Sequence, residues 1–171
     1  MRLSVVLTGT ATMAAALIAG LGTPSPAQAS GDDWALNGTY AATSNGEWAR
    51  TNEVFHDEAS VRSTWTISTT CSYPTECTGK VTSDQGWSAD IYAKSGIWYV
   101  KRAVANWEPC PDGTAAAGLQ VYRFWPAAPD SHVDPGSTTL IGEDNTTGVS
   151  GACGISLPLN IRMPFKLVKA G

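Results

Sequence analysis

Apolar residues alternate with polar ones along most of the chain. From Ile155 to Leu167 every second residue is apolar (Ile155, Leu157, Leu159, Ile161, Met163, Phe165, Leu167), and those between are Ser156, Pro158, Asn160, Arg162, Pro164 and Lys166. A period of two is that of a strand with one face buried and the other wet. The same alternation runs through Val61, Trp65, Ile67, Thr69 and Cys71, through Cys77, Gly79 and Val81, and through Trp87, Ala89, Ile91 and Ala93. Between the runs stand Asn45-Gly46, Gln85-Gly86, Ser95-Gly96 and Asp112-Gly113, pairs that supply the positive backbone angles of tight turns. No comparable stretch after residue 29 carries a helical period. The pattern predicts strands at 38–42, 61–71, 77–84, 87–94, 97–105, 117–125, 137–143 and 155–168. About eight antiparallel strands at such short intervals make an all-β fold, an open barrel or a β-sandwich.

Two details bear on the choice. Ile97-Trp98-Tyr99-Val100 and Leu119 to Trp125 carry large apolar groups on both parities, so these strands are buried on both faces, bulged, or lend one face to a partner. Pro158 and Pro164 share a parity, so both missing amide hydrogens face the same neighbour, which favours an edge or a bulged seam over full closure.

The N-terminus is of a different kind. Arg2 precedes an apolar stretch, Leu3 to Leu21, then Gly22-Thr23-Pro24-Ser25-Pro26 and the small-residue site Ala27-Gln28-Ala29. This order is that of a secretory signal over 1–29, leaving one domain over 30–171 with no membrane span once the signal is removed. The domain therefore folds in an oxidising compartment, secreted or in the cell envelope, where Cys71, Cys77, Cys110 and Cys153 can pair. Of the three possible connectivities we expect Cys71–Cys77 across a hairpin mouth and Cys110–Cys153 over a long loop. Spacings of 6, 33 and 43 hold no C-x-x-C pair, so zinc is not expected.

Arg2 is the only charged residue before Ser30, so the domain sets 10 Lys and Arg against 15 acids. That balance and the lack of a basic run exclude nucleic acid as a partner.

Catalytic constellations are weak. Gly148-Val149-Ser150-Gly151-Ala152 approaches the nucleophile elbow but ends in alanine and has no predicted helix behind it. His56 and His132 each have acids beside them, yet both stretches read as solvated loops, and neither metal nor cofactor is expected. Paired carboxylates drawn from Glu47, Glu53, Glu58, Asp90, Glu108 and Glu143 keep a glycan hydrolase as the alternative.

The indoles are more informative: Trp34, Trp48, Trp65, Trp87, Trp98, Trp107 and Trp125. Most of them fill the core of a domain this size, but indoles at turn-to-strand junctions also offer a flat face to a ligand. Trp48 and Trp98 follow glycines at such junctions, and Trp107 stands in a proline-bounded segment tied by Cys110. Trp107, Trp98 and Trp48 are the candidate ligand contacts.

The run Ser63-Thr64-Trp65-Thr66-Ile67 to Cys71, then Cys77 to Val81, Gly86-Trp87, Ile97-Trp98, Trp107-Glu108-Pro109-Cys110 with Asp112-Gly113-Thr114, and Gly151-Ala152-Cys153 resembles a group of small secreted mycobacterial proteins. The resemblance implies an exported, disulfide-bonded domain and carries over no catalytic residue. The expected function is recognition of an envelope glycan, lipid or protein by a monomeric, non-enzymatic domain. A structural envelope protein is the further rival.

Overall fold

The computed structural model of the chain describes residues 31–73 and 75–171. The export signal expected over 1–29 lies outside the described residues. A one-turn helix, α1 (Gly31–Trp34), leads into ten strands: β1 (Gly38–Ser44), β2 (Arg50–Thr51), β3 (Val54–Phe55), β4 (Val61–Tyr73), β5 (Glu76–Ser83), β6 (Ser88–Lys94), β7 (Ile97–Pro109), β8 (Ala115–Pro126), β9 (Thr139–Gly148) and β10 (Asn160–Lys169). Eight of them pair antiparallel in the order β1-β4-β5-β6-β7-β8-β9-β10, and β10 pairs back onto β1. The sheet is a closed barrel, with β2 and β3 as a small appendage beside β10. No helix among the described residues is long and apolar enough to cross a membrane.

The all-β class and the eight main strands are as the alternation predicts, except that the last begins at Asn160 and not at 155, with Ile155 and Leu157 exposed in the loop before it; the closure is not predicted. Pro158 lies ahead of β10 and takes no part in a ladder. Pro164 lies within β10, where its carbonyl accepts the N–H of Asn45 at 2.8 Å. Within a strand a residue's N–H and C=O point to the same side, so the missing donor faces this junction too. There β1 has ended at Ser44 and the chain steps outward through the 3-10 turn Gly46–Trp48. The seam the prolines announce is therefore local. Beyond it Tyr40↔Lys169 to Ser44↔Phe165 pair in register and close the barrel.

Inward residues divide the interior into two halves. The half nearest the β6–β7 turn is apolar, filled by Ile67, Ile91, Trp98, Val100, Phe124, Leu140 and Leu167. Trp34 and Leu36 close that end from outside the strands. They are held by Thr69, whose hydroxyl accepts the Leu36 N–H at 2.8 Å and donates to the Leu36 carbonyl at 3.0 Å. Above this layer Trp65 meets Tyr122 edge to face with ring centres 4.9 Å apart and lies tilted against Phe165 at 5.2 Å.

The half toward the opposite mouth is polar. Asp144 is 1% exposed and accepts hydrogen bonds from Ser44 Oγ at 2.6 Å and from Gln120 Nε2 at 2.8 and 3.0 Å. Arg102 Nε donates to Gln120 Oε1 at 2.7 Å while its guanidinium covers Trp87 at 4.5 Å. Burial pushes the Asp144 carboxyl above its ordinary range, and the hydrogen bonds from Ser44 and Gln120 offset only part of that. Burial, with Asp144 nearby, also raises the Tyr122 phenol.

Both disulfides have the expected partners. Cys71 and Cys77 face each other across β4 and β5, 3.9 Å apart at Cα, and Cys110 joins Cys153 with 4.9 Å between Cα atoms. The strands with mixed parity turn one apolar row inward and one outward. Trp98 and Val100 are buried in the core, while Tyr99 stacks on Tyr92 outside at 5.3 Å and Trp125 is half-buried on the outer wall. A bulge in β7 between Val104 and Glu108 completes the picture.

Candidate functional site

The outer wall over β9, β10 and β1 is the most developed surface feature, and its shape follows from the interruption after Ser44. β2 resumes along β10 and folds back as β3, making a two-residue hairpin that stands off the barrel. Its turn residues Asn52 and Glu53 have φ of 48° and 68°, the left-handed pair that matches the twist of a tight hairpin. The tongue is anchored by Asn52 Oδ1, which accepts the Asn160 N–H at 2.9 Å, and by the Arg162 to Glu53 ion pair. It presents Phe55 to solvent, 62% exposed, next to Trp48, which ends the preceding 3-10 turn and is 63% exposed.

Between the tongue and Trp125 lie two adjoining depressions of about 500 and 650 Å³ that share Gly142, Glu143 and Pro164. Trp48, Arg50, Phe55, Arg162 and Met163 wall the first, and the second runs on toward Trp125 and Ile141. Gly142 forms part of the floor because nothing larger fits: a Cβ there would stand 2.0 Å from the Arg123 carbonyl oxygen. The far floor is one cross-strand row. Arg62 pairs with Thr43, Thr43 with Lys166, Lys166 with Ile141 and Ile141 with Trp125, all on the outer face.

The groove is cationic in an acidic protein. Its lining holds Arg50, Arg62, Arg162 and Lys166 against Glu143, whereas the whole chain has a net charge of −4. Arg50 and Arg162 are direct cross-strand partners, an arrangement that repels. Glu53 compensates Arg162, and Arg50 lies over the Phe55 ring at 4.5 Å.

The three candidate indoles fall in three environments. Trp48 lines the groove. Trp98 is fully buried in the core, its indole N–H without an acceptor, so it has no face to offer. Trp107 is half-buried at the polar mouth, so close over Gly118 that a Cβ there would come within 2.8 Å of the ring. Beside it the Glu108 carboxylate is buried with one oxygen unpartnered. The residues that sequence reasoning missed are Phe55, Arg50, Arg162, Arg62, Lys166 and Trp125. Only register brings them together, and single residues spaced from 50 to 166 leave no local signal.

The other candidates stay apart. His56 and His132 are exposed and pair with Glu58 at 3.2 Å and Asp130 at 3.0 Å. Ser150 is exposed in the loop before Cys153, its hydroxyl donating to the Ser156 carbonyl at 3.1 Å.

No protein-family model and no curated protein matches the chain. Among solved structures, the chain is similar to the monomer form of the M. tuberculosis PknI sensor domain, with a TM-score of 0.57 and 20% identity over 80% of this chain and 88% of that one. At that identity the likeness is one of fold: an all-β domain of a kind found in a mycobacterial sensor.

Proposed function

We propose that the protein is an extracellular, non-enzymatic binding domain whose outer groove takes up a component of the cell envelope. The observation that carries this reading is the pair of exposed rings, Trp48 at the end of the 3-10 turn and Phe55 on β3, beside a groove of several hundred cubic ångströms. Exposed aromatic groups on a fixed support lose little freedom on contact, which favours recognition. The fold likeness to a sensor domain and the two disulfides support the compartment and the mode of action. Hydrolysis by two acids is less well supported, since among the described residues Glu143 is the only carboxylate lining the groove and Glu53 is engaged by Arg162.

The test is intrinsic fluorescence of the domain titrated separately with envelope lipid, glycan and protein fractions. One class is expected to shift the emission of Trp48 and Trp125. The double substitution Trp48→Ala and Phe55→Ala should remove that response while leaving the melting temperature within a few degrees, because both side chains are mostly solvent-exposed. A response unaltered in that variant refutes the groove as the site.

A further inference from the structure

We infer that the occupant of the groove is an amphiphile with an anionic headgroup, its apolar chain lying toward Ile141 and Trp125 and its charge held by Arg62 and Lys166. The inference rests on the groove being the binding site and adds the chemistry of what binds. Three observations lead to it. First, the lining sets four cations against one acid in a chain that is acidic as a whole. Among the described residues neither Arg62 nor Lys166 has an ion pair, so their charges are available. Second, Arg50 and Arg162 stand side by side at the other end, where Glu53 pairs with Arg162 and Arg50 has no ion pair among the described residues, so positive charge borders that end too. Third, the floor is made of side chains on closed ladders. The backbone N–H and C=O groups of β1, β9 and β10 are spent on neighbouring strands, so a peptide cannot be recognised by strand addition there. What remains is apolar contact along Ile141, Trp125, Met163 and Pro164, with positive charge at its border. That combination fits a lipid anion better than an extended peptide or a neutral glycan.

The experiment uses residues 30–171 with oxidised disulfides and monomeric probes below their aggregation concentrations: dodecyl phosphate, dodecyl maltoside and inorganic phosphate, followed by calorimetry and tryptophan emission. Dodecyl phosphate is expected to bind with one site, about tenfold or more tighter than dodecyl maltoside, a difference of about 1.4 kcal/mol. Its affinity should fall with added salt, as exposed charge contacts are screened. Arg62→Gln with Lys166→Gln should abolish the preference without altering near-UV dichroism, and Glu143→Gln should strengthen dodecyl phosphate several-fold by removing the one acid. Inorganic phosphate alone should not compete. Equal binding of the two detergents, lost in Trp125→Ala, overturns the anionic headgroup but leaves the groove standing. Dodecyl phosphate bound with undiminished affinity by both Arg62→Gln/Lys166→Gln and Trp125→Ala overturns the anionic amphiphile as the occupant, as does binding of neither detergent; the groove itself then stands or falls on the Trp48→Ala/Phe55→Ala response to glycan and protein fractions. Competition by inorganic phosphate at equal concentration overturns the lipid and leaves a plain anion site.

Discussion

Single residues carry charge and fit that the alternation alone does not display. Asp144 is the clearest. Its carboxyl titrates above the ordinary range because burial penalises the anion more than Ser44 and Gln120 stabilise it. The folded state therefore holds this proton more tightly than the unfolded chain. Its contribution to stability is full below the unfolded pKa and is lost as pH rises through the raised folded value. Carboxyl NMR should place the midpoint of Asp144 above that of an exposed aspartate, and Asp144→Asn should flatten this part of the melting temperature's dependence on pH. Asp112 has the opposite sign. Hydrogen bonds from the Thr114 hydroxyl and then from its backbone N–H lower it, so its contribution is present at neutral pH and fades as pH falls through the depressed value. At Gly142 the prediction is steric. Gly142→Ala must push its Cβ away from the Arg123 carbonyl at 2.0 Å, and the backbone shift should cost about 1–3 kcal/mol in denaturant unfolding. Legibility at this scale was uneven. Trp48 and Trp98 both follow a glycine by two residues, yet one is 63% exposed and the other 0%. Trp98 shares the parity of Val100, which faces inward, but large groups on both parities of that strand hid the distinction.

At the level of elements, the barrel strands were readable where a run of period two buries one face, as in β4, where Trp65, Ile67 and Thr69 alternate with exposed neighbours, whereas in β10 the alternation from Ile155 to Met163 precedes the buried Phe165 and Leu167 and sets the start of the strand too early. β2 and β3 were not. Two residues each, half-buried in one and exposed in the other, provide no period. Their existence depends on β10 offering a free side after β1 ends at Ser44. The disulfides were legible because Cys71 and Cys77 share the inward parity of their strands and fall directly opposite one another. They should contribute unequally. In the chain-entropy account, closing 43 residues stabilises by about 4 kcal/mol and closing 6 by roughly 2. Replacing Cys110 and Cys153 by alanine should therefore lower unfolding free energy about twice as much as replacing Cys71 and Cys77, measured by denaturant titration of each double variant. The same comparison with Trp48→Ala/Phe55→Ala should find almost no stability change, which separates the proposed recognition role of these rings from a structural one.

For the whole molecule, the sequence could announce eight strands but not whether the first would meet the last, since no local pattern encodes pairing over the length of a domain. Closure removes the free edges that would otherwise invite another chain. Deleting 160–169 should restore them on β1 and β9 and strip Phe165 and Leu167 from the core, giving oligomers by size-exclusion chromatography where the intact domain elutes as one species. The seam between β1 and β10 has a further consequence in time. On a nascent polypeptide Gly38–Ser44 leaves the ribosome well before Asn160–Lys169, with the six other barrel strands between them. Until β10 emerges, one flank of the opening ribbon waits without its mate, and the cylinder cannot shut however complete the strands between them are.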